Sequence, residues 1–198
     1  GLGVKHLEVG DDFRFGCDLA GDFDFLTQAG SLQGFTVESA QTVEMDGVRV
    51  SSTQVRKALA AADFERAGQL LGRPFCIEGR VLHGQKLARQ LGWPTANVQL
   101  KRRRVPLTGV YLVSVDIDGK TWPGVANIGV RPTVAGDGSA HLEVHLLDFA
   151  GDLYGRHLTV AFHHKLRDEQ RFASLEALKS AIDADVAAAR AHWAKPTA

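Results

Sequence analysis

From Phe75 onward the chain repeats one pattern, short runs of alternating apolar and polar residues separated by turn formers, and this pattern restricts the fold most. The runs are Phe75 to Leu82, Val110 to Ile117, Thr121 to Ile128, His141 to Leu147 and Leu158 to Phe162. Alternation at period two places one set of side chains on a buried face and the other on the opposite face, which is the signature of strands. Asp118 and Gly119, between the second and third runs, read as a tight hairpin turn. Five or six antiparallel strands of this size predict a small closed barrel.

The elements on either side follow from a different period. Leu175, Leu178, Ile182, Val186, Ala189 and Trp193 recur at spacings of three and four, which predicts one long C-terminal helix packed against the barrel. Ahead of the barrel, Lys5 to Val9 and Gln41 to Val50 read as strands, with a polar, glycine-rich run from Gly10 to Gly21 after the first. Ser51, Ser52 and Thr53 supply N-caps for a helix carrying Val55, Ala58 and Leu59, and a second short helix is expected from Phe64 to Leu71. Gly72, Arg73 and Pro74 break the pattern, so the expected boundary separates residues 1–73 from 74–198. The fold class predicted is α+β: a closed barrel of about six strands with a long terminal helix, preceded by a partial Rossmann-like α/β segment.

Charge narrows the partners. Twenty-three basic residues balance twenty-three acidic ones, which leaves no global field for nucleic acid or an anionic membrane. Neither partner is expected, and the one dense cluster, Lys101 to Arg104, reads as a solvated loop. No apolar run approaches the roughly 20 residues of a membrane helix, and no signal peptide is recognisable. Cys17 and Cys76 are far apart and belong to no CxxC or Cys/His cluster, so a reducing cytoplasm is the expected location.

Four segments carry chemistry. In LGWPTAN, Leu91 to Asn97, proline fixes the backbone and Thr95 and Asn97 share one face of extended chain. Their neutral oxygens suit Mg²⁺ shared with substrate phosphates, while the plain alternative is a strand edge with local turn hydrogen bonds. Upstream, the glycines and cations of GRVLHGQKLAR, Gly79 to Arg89, can cover a nucleotide triphosphate; equally, such a loop can be an ordinary hairpin, and it is no P-loop. In the run HLEVHL, Leu142, Val144 and Leu146 face the core, so His141, Glu143 and His145 line the other face. That face suits a transition metal of the oxygenase type, a lone general base at Glu143, or plain solvation. At the end of the barrel, Lys165 to Phe172 combines arginine and an aromatic ring that can hold a planar ligand, or simply staple the helix.

Taken in order and spacing, GRVLHGQKLARQLGWPTAN, PLTGVYLVSV, GVANIGVRPT, HLEVHLLDFAGDLYG and KLRDEQRF resemble the bacterial riboflavin kinase module over about residues 74 to 195. VGDDFRFG and SSTQVRKAL resemble the second half of the FMN adenylyltransferase module that precedes the kinase in bifunctional FAD synthetases. The resemblance implies ATP-dependent phosphorylation of riboflavin to FMN, with Glu143 as catalytic base and Thr95 and Asn97 as Mg²⁺ ligands. It implies ATP contacts at Gly79, Arg80, Gly84, Lys86, Arg89 and Tyr154, and flavin contacts at Arg167, Glu169 and Phe172. Ala88 stands where bacterial relatives usually carry glycine. His141 and His145 are not ligands in that family, which argues against the oxygenase; a flavin-binding module without catalysis is the other alternative. Ser51, Ser52, Thr53 and Arg56 are the remnant of an adenylyltransferase site, since the GxFDGxHxGH-like segment is absent between Gly1 and Ser51. FAD synthesis is therefore not expected from this chain alone; its opening in mid-domain is expected of a fragment of a longer bifunctional enzyme, the alternative being a gene product that lost the first half of its Rossmann-like domain.

Overall fold

The computed structural model describes residues 2–83, 92–100, 105–131 and 139–194. It divides into two compact units, Gly1–Ser51 and Ser52–Ala198. In the first, strand β1 (His6–Gly10), helix α1 (Phe23–Gln33) and strand β2 (Thr36–Ala40) form a βαβ arrangement, with β1 and β2 parallel and His6 opposite Thr36. Asp22 caps α1 by accepting from the Phe25 amide at 3.0 Å, and Gly34 ends it in the left-handed conformation at φ 75°. The alternation from Gln41 to Val50 is not one strand. Asp46 and Gly47 both take positive φ, so the segment folds back as a hairpin of β3 (Glu44–Met45) and β4 (Val48–Arg49). Asp11 ties this unit together, accepting from Thr42 Oγ1 at 2.6 Å and from Arg49 at 2.7 Å.

The second unit opens with α2 (Ser52–Ala60) and α3 (Phe64–Leu71) and continues into a closed barrel. Its strands are β5 (Cys76–Leu82), β6 (Ala96–Val98), β7 (Gly109–Ile117), β8 (Lys120–Arg131), β9 (Ser139–Leu146) and β10 (His157–Arg167), ordered β10-β5-β6-β9-β8-β7. Every neighbouring pair is antiparallel. Asp118 and Gly119 make the expected hairpin turn, with φ 52° and 79° and Ile117 paired to Lys120. The break in compactness falls at Ser51/Ser52, ahead of the expected boundary at Gly72–Pro74, because of what the two short helices cover. Leu59, Phe64 and Ala67 are buried in the same core as Tyr111 and Phe162, and the Phe64 ring lies 5.7 Å from that of Tyr111. Together α2 and α3 plug the barrel.

Inside the barrel, Val113, Val115, Ala126, Ile128, Leu142, Val144, Leu158 and Val160 are fully buried. Each large one contributes about 1.5–3 kcal/mol of transfer free energy. A second apolar layer lies on the outside, where Val110, Leu112, Val125 and Leu147 pack against Val186 and Ala189 of helix α4 (Leu175–Trp193). Strand β7 is therefore apolar on both faces, Tyr111 and Val113 inward and Val110 and Leu112 outward. Leu175 departs from the expected stripe. It is 55% exposed, one position after Ser174, whose hydroxyl caps the helix at 3.1 Å from the Ala177 amide. Strand β10 also outruns the run Leu158 to Phe162, because two register irregularities, at Phe162/His164 and Lys165/Arg167, let its polar end stay paired with β7.

Candidate active site

The outward residues of the barrel form a line running across it. Strand register sets Asn97 of β6 opposite Glu143 of β9, Glu143 opposite Asn127 of β8, Asn127 opposite Val110 of β7, and Val110 opposite Arg167 of β10. Directly paired residues share a face, so side chains from five strands stand in one row at steps of about 4.8 Å. The inward neighbours Val98, Leu142, Val144, Ala126 and Ile128 fill the core. Asn97, Asn127 and Glu143 are each thereby fixed by a buried residue on either side.

Two cavities meet at one end of this row. The first, of about 290 Å³, has Val110, Val125, Asn127 and Glu143 on the sheet side and Leu178, Ile182 and Val186 of α4 opposite, with Arg167, Glu169 and Phe172 at its end. The second, of about 410 Å³, is lined by Pro94 to Asn97, Leu146, Phe149 and the segment Gly151 to Tyr154. Thr95 and Asn97 line both. They form the partition, and Glu143 stands beside it in the first cavity. The pair offers two neutral oxygen donors at a junction between compartments, which fits a hard cation that keeps waters and shares phosphate oxygens.

The first cavity is closed by charge as well as by apolar packing. Arg167 donates from Nε to both carboxylate oxygens of buried Asp185 at 3.0 and 3.1 Å, and from a terminal nitrogen at 2.8 Å. Its guanidinium also lies 5.5 Å over the Phe172 ring. Arg167 is thus committed to joining β10 to α4 and to placing Phe172. At the second cavity Tyr154 stacks on His83, with centroids 3.9 Å apart. At the end of β10, Lys165 pairs with Asp168 just beyond the strand at 2.6 Å, and that hydrogen bond holds the Asp168 carboxyl below its usual range. His163 bonds Ser114 at 2.7 Å and meets the Trp193 ring edge-on at 5.2 Å. Burial, then the proximity of His192, pushes the His163 imidazole below its usual pKa.

Other expected residues do not line these cavities or fall outside the described residues. Gly79 is buried under Gln99, whose carbonyl oxygen would clash with a Cβ at this position. Its lack of a side chain serves strand packing there, and neither Gly79 nor Arg80 lines a described cavity. Gly84, Lys86, Ala88 and Arg89 lie outside the described residues. Ser52, Thr53 and Arg56 belong to α2, where Arg56 donates to Ser52 Oγ at 3.3 Å and is turned along its own helix; Ser51 immediately precedes it. The His141, Glu143, His145 row does not converge. Alternate residues along a strand are about 6.6 Å apart, so its ends cannot share one ion, and His145 Nδ1 is engaged by the Pro94 carbonyl at 2.9 Å. Among the described residues no three His, Cys, Asp or Glu come together as a metal group.

Sequence reasoning missed Asn127, Trp93 and Asp185. Asn127 had a signal, an asparagine between the apolar Val125-Ala126 and Ile128 of an expected strand, where that residue is disfavoured. Asp185 had one too, an acid on the apolar stripe between Ile182 and Val186.

A family model described as riboflavin kinase matches residues 71–193, and one described as FAD synthetase matches residues 1–54. A bifunctional riboflavin kinase/FMN adenylyltransferase from Pseudomonas fluorescens is 85% identical over 96% of this chain and 61% of its own length. The protein of the same description from Escherichia coli strain K12 is 56% identical over 96% of this chain and 60% of its own. The chain spans about three-fifths of the length of the curated relatives it matches. Among solved structures, one described as a macrolide-efflux protein from Streptococcus pneumoniae superposes with a TM-score of 0.70 at 33% identity, covering 91% of this chain and 58% of that one. No described helix here is long and apolar enough to cross a membrane.

Proposed function

This chain belongs to the riboflavin kinase family, and from that premise we propose that it transfers the γ-phosphoryl of ATP to the 5′-hydroxyl of riboflavin. One observation carries the reading: the residues dividing the two cavities, Thr95 and Asn97, stand beside Glu143, which pairs directly with Asn97 across β6 and β9. ATP occupies the second cavity, against Tyr154 and Phe149, and the flavin ring occupies the first, against Val110, Val125 and Phe172. Thr95 and Asn97 would hold Mg²⁺, which when bound would supply neutralisation of phosphate charge.

Glu143 does the proton work. Its carboxylate accepts the proton of the 5′-hydroxyl as that oxygen bonds to the γ-phosphorus and the bond from phosphorus to the ADP oxygen breaks. Apolar residues of α4 keep water from competing as acceptor. Residues 52–198 carry this activity, with α2 and α3 as part of their core, while residues 1–51 belong to the adenylyltransferase half that the longer relatives are named for.

Incubation with riboflavin, ATP and Mg²⁺ followed by chromatography tests the reading. FMN without FAD is expected; tight flavin binding with neither product would establish a binding module instead. Glu143→Ala should lower turnover by about 10²–10⁴-fold while flavin affinity stays within a few fold. Equal losses in both would make Glu143 structural.

A further inference from the structure

Asn127 sits in the middle of the transverse row, between Glu143 on one side and Val110 on the other, and lines the first cavity. Its Oδ1 is buried and has no hydrogen-bond partner among the described residues. A buried amide oxygen without a donor is destabilising, and native structures keep few of them. The placement is also against propensity, since asparagine is depleted in strands and the flanking Ala126 and Ile128 are core residues. An apolar residue such as the neighbouring outward Val125 would serve the fold better. The oxygen therefore waits for a donor that arrives with a ligand.

The row says which donor. One strand step to one side, about 4.8 Å, stands the carboxylate that receives the proton of the phosphoryl acceptor. One step to the other side the lining turns apolar, with Val110 and then the Phe172 end of the cavity. A ligand lying along the row presents its reacting hydroxyl at Glu143 and its apolar ring over Val110. Whatever lies over Asn127 is the linker between them.

We propose that Asn127 accepts a hydrogen bond from a secondary hydroxyl of the acceptor's polyol chain, and so selects flavins whose linker is a polyol over flavins whose linker is a bare alkyl chain. This rests on the kinase reading and adds a specificity residue to it. Asn127 acts by positioning: with its linker pinned, the terminal hydroxyl is held against Glu143.

The test compares riboflavin with an isoalloxazine carrying an unbranched 5-hydroxypentyl chain, which keeps the terminal hydroxyl and lacks the secondary ones. The ratio of kcat/KM for riboflavin over the analogue is measured in the wild type, in Asn127→Leu and in Asn127→Ser. In the wild type the ratio should exceed about tenfold. It should collapse towards one in Asn127→Leu and fall partway in Asn127→Ser, which keeps a shorter oxygen acceptor. A ratio unchanged by both substitutions overturns the inference, even if both rates drop, because a merely structural role lowers the two together. The same ratio taken from dissociation constants by flavin fluorescence without ATP covers the case of poor turnover. Failure of the kinase reading then appears as no FMN from the wild type, and failure of the inference as a constant ratio.

Discussion

The inside and the outside of the barrel are built from the same strands and obey different rules. Along β9, Leu142, Val144 and Leu146 point into a core whose neighbours are all apolar, while His141, Glu143 and His145 alternate with them on the outer face. The described interior is apolar, with the inward Tyr111 hydroxyl satisfied by the Thr108 carbonyl at 2.7 Å, and tolerates little change of volume. The exterior mixes Val110 and Val125 with Asn97, Asn127 and Glu143, and leaves buried polar atoms of Trp93 and Asn127 without a partner among the described residues. A surface optimised only for stability would not carry them. The difference shows where each kind of mutation should be felt: inner residues hold the shape, and outer ones depend on that shape for their spacing.

The sharpest way to break this division is at the partition. Replacing Thr95 and Asn97 together by alanine should take FMN formation below detection with the thermal midpoint changed by no more than a few degrees. Global unfolding of the double variant would place these residues among the structural ones. The reverse experiment is Leu142→Ala, which removes a fully buried side chain directly beside Glu143. It should cost about 2–5 kcal/mol in denaturant unfolding, and activity should fall only as the folded fraction falls.

Asp185→Ala tests the residue that belongs to both regions. It leaves Arg167 partly buried without its carboxylate, so stability should drop by about 1–3 kcal/mol, less than for a fully buried pair because Arg167 keeps some solvent. Flavin affinity should fall as well, because Arg167 no longer fixes Phe172. Unchanged flavin affinity would show that the α4 wall forms without the pair.

The smallest effect concerns pH. His163 has a folded-state pKa depressed by burial and then by His192, so the unfolded chain takes up its proton first as pH falls. Its contribution to stability is present above about pH 6.5 and is lost as pH drops from there towards the folded-state pKa. His163→Gln should flatten the unfolding free energy between about pH 7 and 5. An unchanged slope would mean that His163 is solvated well enough to titrate normally.

The barrel was legible because period-two alternation and one Asp-Gly turn are local signals. The helix α4 was legible for the same reason at its own period, apart from Leu175, where capping at Ser174 left the stripe without a partner. The first unit was harder to read. Nothing in the local pattern set α1 apart, and the fold of Gln41 to Val50 turned on two residues with positive φ rather than on hydrophobicity. Glu143, Thr95 and Asn97 stood out through their motifs. Asn127 did not, because its meaning depends on register, and register is a relation between β7, β8 and β9 that no single segment contains. The boundary shifted for a related reason: Gly72 to Pro74 end a helix, but Leu59 and Phe64 decide by their burial which unit that helix joins.

The three-residue strand β6 is the narrowest stave of the barrel. It holds β5 through two residue pairs and β9 through three, whereas β7 and β8 share nine. A cylinder opens first at its shortest seam, and here that seam carries Asn97, with Thr95 at its edge. Any ligand held by those two residues adds its binding free energy to the closure of the wall. Amide protection in β6 would then rise with occupancy while the long β7–β8 ladder stayed as it was, so the hinge of the cylinder and the gauge of its contents are the same three residues.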